Sequence, residues 1–105
     1  MKILFDQGTP APLRRFLGQH DVFTAYEKGW STLQNGDLIR AAESEGFELM
    51  ITTDGNLKYQ QNLKERKIAI MVILSTSWPK IQLKTREIFA SIDTIARGSY
   101  IEIPI

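Results

Sequence analysis

The sequence predicts an α/β fold, a mostly parallel sheet held between two layers of helix. Three observations predict it. Short apolar runs alternate along the chain with segments of 3.6-residue periodicity. Ile68–Leu74 (IAIMVIL) is apolar without a break, as in a central strand covered on both faces. Two of the apolar runs lead into an aspartate, Asp6 and Asp54, where a parallel α/β sheet presents its ligand site.

Ile3–Phe5 is the first strand. Thr9 is placed to cap a helix, because its hydroxyl can accept a free backbone N–H, and Pro10 suits the first turn, where no N–H is needed. Leu13, Phe16 and Leu17 recur at helical spacing, and Gly18 stops the run. Asp21–Ala25 (DVFTA) is the second strand. Asn35 caps a helix reaching about Glu45, with the stripe Leu38, Ala41, Ala42 and with Gly46 as terminator. Phe47–Thr52 (FELMIT) is the third strand. The polar segment 56–66 is helical in part, and Ile68–Leu74 is the fourth strand. A helix from Pro79 to Arg97 carries Ile81, Thr85, Ile88, Ile92 and Ile95 on one stripe and ends at Gly98. In Tyr100–Ile105 the residues Ile101, Ile103 and Ile105 face one way, and Pro104 removes a ladder donor, so this strand belongs at an edge. The alternation predicts right-handed crossovers, with Ile3–Phe5, Leu49–Thr52 and Ile68–Ile73 as adjacent parallel strands.

The chain has 105 residues, the size of one domain. It contains no cysteine, which excludes disulfides, a thiolate nucleophile and cysteine-ligated zinc, and fits a reducing cytoplasmic compartment. No apolar stretch approaches the roughly 20 residues of a membrane span, so no membrane contact is expected. A net charge of +1 excludes the broad positive field of an avid, non-specific nucleic-acid binder. The P-loop, GxGxxG and serine-hydrolase patterns are missing too.

Asp6 and Asp54 form the candidate site. Two carboxylates brought together repel unless a cation or proton lies between them, and hard oxygen ligands suit Mg²⁺ or Mn²⁺. The plain alternative is that each aspartate accepts backbone N–H bonds in its turn. Asp37, in the first turn of the third-strand-preceding helix, is either a third acidic ligand or a favourable partner of the helix dipole. Glu27 reads as an exposed loop residue, and Glu43 and Glu45 as a solvated helix face. Lys58, Lys64, Arg66 and Lys67 against Glu65 form a basic run, either phosphate-binding or simply solvated. Trp30 and Trp78 are read as core, and His20 as a surface residue.

The segments ILFDQGTPAPLRRFL, HDVFTAYEKGW, NGDLIRAAE, LMITTDGNLKYQQNL, IAIMVILSTSWP and YIEI together resemble, in order and spacing along nearly the whole chain, a group of small bacterial PIN-like proteins. The resemblance implies a PIN-like three-layer α/β/α sandwich. It also implies a Mg²⁺- or Mn²⁺-dependent endoribonuclease, the toxin of a toxin–antitoxin pair. Asp6, Asp37 and Asp54 match the acidic positions of such a site. Gln7 departs from the pattern, since many relatives place an acid there. Gln7, Asn35 and Asn56 are then expected to orient ligands or the phosphate, and Arg14 and Lys58 to contact the RNA backbone. The implied partners are RNA and a small antitoxin or other protein, with a homodimer as the assembly. The alternative is a PIN-like protein-binding module of weak or no activity. An acidic phospho-acceptor domain is disfavoured, because no lysine ends the IAIMVIL strand.

Overall fold

The computed structural model of the chain describes residues 1–60 and 66–105. Five strands form one all-parallel sheet: β1 (Lys2–Phe5), β2 (Asp21–Thr24), β3 (Leu49–Thr52), β4 (Ala69–Ile73) and β5 (Tyr100–Ile103). Their order is β2-β1-β3-β4-β5. The chain builds outward from β1 in one direction and then, through β3, in the other. The strand order therefore reverses between β1 and β3, and a crevice at the carboxyl ends of those two strands is the topological switch point of the sheet.

The alternation of side chains along each strand assigns two separate cores. Ile3 and Phe5 of β1, Leu49 and Ile51 of β3, and Ala69, Met71 and Ile73 of β4 face one side. There they meet Leu13 and Leu17 of a 3₁₀ helix (Ala11–Leu17), Ile81 of α3 (Trp78–Gln82), and Ile88 and Ile92 of α4 (Thr85–Thr94). Leu4, Met50, Ile70 and Val72 face the other side, against Leu38, Ile39 and Ala42 of α1 (Asn35–Ser44) and Leu57 of α2 (Leu57–Gln60). All five residues of β4 are buried, which is why its sequence shows no polar alternation. Each of its Ile, Met and Val side chains stabilises the fold by about 1.5–3 kcal/mol. The tail forms the outer strand β5, parallel to β4, with Ile101, Ile103 and Ile105 on the α4 side. Trp30 and Trp78 pack against the two cores.

Several expected boundaries shift, each for a local reason. The first helical segment is 3₁₀ rather than α, and Pro10 occupies its N-cap. Thr9 does not cap it, because its hydroxyl donates to the Ile51 carbonyl at 2.7 Å and reaches Asp6 at 2.9 Å. Gln34, not Asn35, is the N-cap of α1. The helix expected over Pro79–Arg97 is two helices. Leu83 and Lys84 donate backbone N–H bonds to Lys80 and Ile81, three residues back, and Lys84 leaves helical geometry at φ −115°, ψ 11°. The break leaves Leu83 exposed while Ile81 and Ile88 are both fully buried. α4 ends at Thr94, before the expected Arg97. His20, expected at the surface, is half-buried, and neither ring nitrogen has a hydrogen-bond partner among the described residues. Of the basic run, Lys64 and Glu65 lie outside the described residues.

Candidate functional site at the switch point

Asp6 follows β1, and Thr52, Thr53 and Asp54 end and follow β3. Because Phe5 registers with Ile51, the next positions, Asp6 and Thr52, meet at the carboxyl edge. The Asp6 N–H donates to the Ile51 carbonyl at 3.2 Å, extending the ladder one step and holding the aspartate against β3.

Thr52 is the hinge of the site. Its side chain is almost wholly buried, and its hydroxyl donates to Asp6 Oδ2. The same hydroxyl accepts the Asp54 backbone N–H at 3.1 Å. One oxygen thus couples the two aspartate positions. Asp6 Oδ1 also accepts the Gly8 N–H at 3.1 Å and the Thr9 hydroxyl at 2.9 Å. Burial pushes the Asp6 carboxyl above its usual range, opposed by the hydrogen bonds from Thr52, Thr9 and Gly8. Desolvation wins, so the buried charge lacks full compensation from the protein.

Asp54 is held by two donors. Asn35 Nδ2, at the start of α1, reaches Asp54 Oδ2 at 2.8 Å, and the Asn56 N–H reaches Oδ1 at 2.9 Å. Asn35 was read as a helix cap, but its amide ties α1 to the β3 turn instead. Asn56 acts through its backbone.

The other expected residues are placed elsewhere or are engaged. The Asp37 carboxylate is exposed and pairs with Arg40, one helical turn on. Among the described residues, no group of three or more His, Cys, Asp or Glu side chains stands together to hold a metal ion. Gln7 is exposed. Arg14 donates to the Val22 carbonyl at 2.6 Å and pairs with Glu27 at 2.9 Å, so it is tied to the β2 side. Glu27 is accordingly a structural residue: the Thr24 N–H and Arg14 hold its carboxyl below the usual range. Lys58 pairs with Glu102 of β5 at 2.9 Å, and Tyr100 donates to the same Glu102 oxygen at 2.8 Å. Glu102 and Tyr100 were not anticipated. Their signal was the alternation of the last strand, which sets both on the α2 side of the sheet.

The donor set fits a hard cation. A carboxylate offers about four acceptor directions. Asp54 spends two of them on Asn35 and Asn56, and Asp6 spends three on Gly8, Thr9 and Thr52. Mg²⁺ is bound through one or two carboxylates, with waters and substrate phosphates completing its shell, so its chemistry does not require a third aspartate.

Comparison with known proteins finds no family model, no curated protein and no solved structure that matches the chain. Among the described residues, no helix is long and apolar enough to cross a membrane.

Proposed function

We propose that the chain is a PIN-like, Mg²⁺- or Mn²⁺-dependent endoribonuclease whose centre is the Asp6–Asp54 pair, acting in the cytoplasm as the toxin of a toxin–antitoxin pair. The observation that carries this reading is the meeting of Asp6 and Asp54 on the Thr52 hydroxyl at the point where the strand order reverses. The bound cation supplies a water of lowered pKa and neutralises charge building on the phosphate. Asp6 and Asp54 are the residues that would hold it. Thr52 ties the Asp6 carboxylate to the Asp54 backbone, and Asn35 and the Asn56 backbone orient the Asp54 carboxylate. Asp37 enters only if its side chain turns from Arg40, and Gln7 contributes a neutral amide at the exposed rim. Arg14 and Lys58 reach RNA only by giving up Glu27 and Glu102.

Two observations favour the second reading, a PIN-like protein-binding module. Asp37 is drawn to Arg40, and the acid expected beside Asp6 is Gln7. A small antitoxin, another protein or a second copy of the chain would then be the ligand.

The test is Asp54→Asn. Asn keeps the shape and the bond from the Asn56 N–H, and turns an NH₂ donor towards the Asn35 amide, but loses the charge that holds a cation. Wild type should gain thermal stability from Mn²⁺ and cleave single-stranded RNA only with Mg²⁺ or Mn²⁺. The variant should lose both responses while staying folded. Wild-type protein that shows neither Mn²⁺ stabilisation nor cleavage would refute the nuclease reading and leave the binding module.

A further inference from the structure

At the end of the sheet opposite Asp6 and Asp54 the chain forms an open cleft of about 720 Å³. It lies where β3 and β4 begin, between the carboxyl end of α1 and the segment after α4. Clefts and cavities of about 300–1,000 Å³ are the size class of small-molecule sites. Met1, Phe47, Ala69 and Ile95 form an apolar wall. Phe47 and Ala69 are buried members of the two cores and back the wall rigidly, while the half-buried Met1 and Ile95 supply its open apolar surface.

The charges around the cleft do not cancel. Glu43, read from the sequence as solvated, is half-buried in the wall. It faces Arg66 at 4.0 Å, and its Oε2 accepts the Lys67 N–H at 3.5 Å. Arg40 is committed to Asp37. The carboxyl end of α1 carries partial negative charge. It is already met by Lys2, whose Nζ donates to the Glu45 carbonyl at 2.7 Å. Glu48 accepts the Lys2 backbone N–H at 3.2 Å. The Lys67 ammonium and the Arg97 guanidinium remain, both exposed and both without a side-chain partner among the described residues. With Glu43 facing Arg66 and Arg40 held by Asp37, the lining keeps, among the described residues, two free cations, Lys67 and Arg97, against one carboxylate without a cationic partner, Glu48, and so carries a net positive charge beside an apolar wall.

We infer that this cleft binds a small phosphomonoester carried on a ring-bearing apolar body. Lys67 and Arg97 hold the phosphate, a dianion matching two cations, and the apolar surface of Met1 and Ile95 takes the ring. The site is separate from the Asp6–Asp54 pair and does not depend on the nuclease reading.

The probe is phenyl phosphate, titrated at low salt into the full ¹⁵N-labelled chain. Amide signals of Gly46, Phe47, Lys67 and Ala69 should move and saturate, while those of Gly8, Gly55 and Asn56 stay in place. Phenol and inorganic phosphate, each carrying half of the chemistry, should bind at least roughly tenfold more weakly. The double variant Lys67→Gln/Arg97→Gln changes exposed groups only. It should keep the wild-type melting temperature and lose phenyl phosphate affinity by roughly tenfold or more. No saturation up to about 10 mM, beyond even weak specific affinity, overturns the inference. So does equal binding of inorganic phosphate or phenol, an unchanged affinity in the double variant, or shifts confined to the Asp6–Asp54 edge.

Discussion

Replacing Thr52 by Val tests whether one hydroxyl holds the switch-point site together. Val keeps the β-branched shape inside a strand, so packing changes little. The hydroxyl is lost from two bonds: its donation to Asp6 Oδ2 and its acceptance of the Asp54 N–H. A hydrogen bond to a charged group contributes about 1.5–3 kcal/mol, and one between neutral groups about 0.5–1.5 kcal/mol. The added buried methyl returns about 0.8 kcal/mol. The net expected loss is roughly 1–4 kcal/mol, centred near 2.5. For a domain of this size that lowers the melting temperature by about 10–20 °C. Thr52→Ser is the control: it keeps the hydroxyl, loses a buried methyl and should cost about 1 kcal/mol. Urea unfolding of wild type and both variants gives the comparison, with unchanged m-values confirming a common unfolded state. The Mn²⁺-induced rise in melting temperature should shrink in Thr52→Val and survive in Thr52→Ser. If the Val variant is as stable as the Ser variant, the hydroxyl does not couple Asp6 to Asp54, and the site loses its central support.

Two further outcomes are expected. The Lys58–Glu102–Tyr100 cluster makes stability pH-dependent at both ends of the scale. Hydrogen bonds from Lys58 and Tyr100 hold the Glu102 carboxyl below its ordinary 4.5, so its stabilisation is present above that value and is lost as pH falls through the lower folded value. The bond to Glu102 raises Lys58, and burial raises Tyr100; their contributions are present below about pH 10 and lost as pH rises through the folded values. Melting curves of Glu102→Gln against pH should therefore show a weaker acid-side decline than wild type, and a parallel decline would contradict the assignment. Gly98 has φ +77°, and an added Cβ would lie 2.9 Å from the Arg66 carbonyl oxygen. Gly98→Ala should thus destabilise by about 1–3 kcal/mol in urea unfolding, through left-handed strain and the clash with backbone. Equal stability would show that the turn before β5 can relax.

The parallel sheet was legible because burial on two faces leaves a mark in composition. Leu49–Thr52 and Ala69–Ile73 admit no solvent face, and a strand so covered must sit inside a sheet with helices on both sides. Pro104 and the alternation of Ile101, Ile103 and Ile105 likewise placed the last strand at the edge, where it is found. The aspartates were legible for a related reason: a charge directly after a buried run has to lie where the strand leaves the core. The partners of those aspartates were not legible. Thr9 and Asn35 are good helix caps in any local window, yet each turns its side chain to an aspartate or carbonyl supplied by another element. Asp37 shows the opposite case. It sits two residues along α1 from Asn35, and the 100° rotation per residue of a helix is enough to send Asn35 to Asp54 and Asp37 to Arg40. Local pattern specifies which end of the sheet a residue reaches, while the direction of its side chain depends on neighbours that sequence brings together only through the fold. For this reason the Thr52 hydroxyl, inconspicuous in the run LMITTDG, is the group that joins the Asp6 carboxylate to the Asp54 backbone.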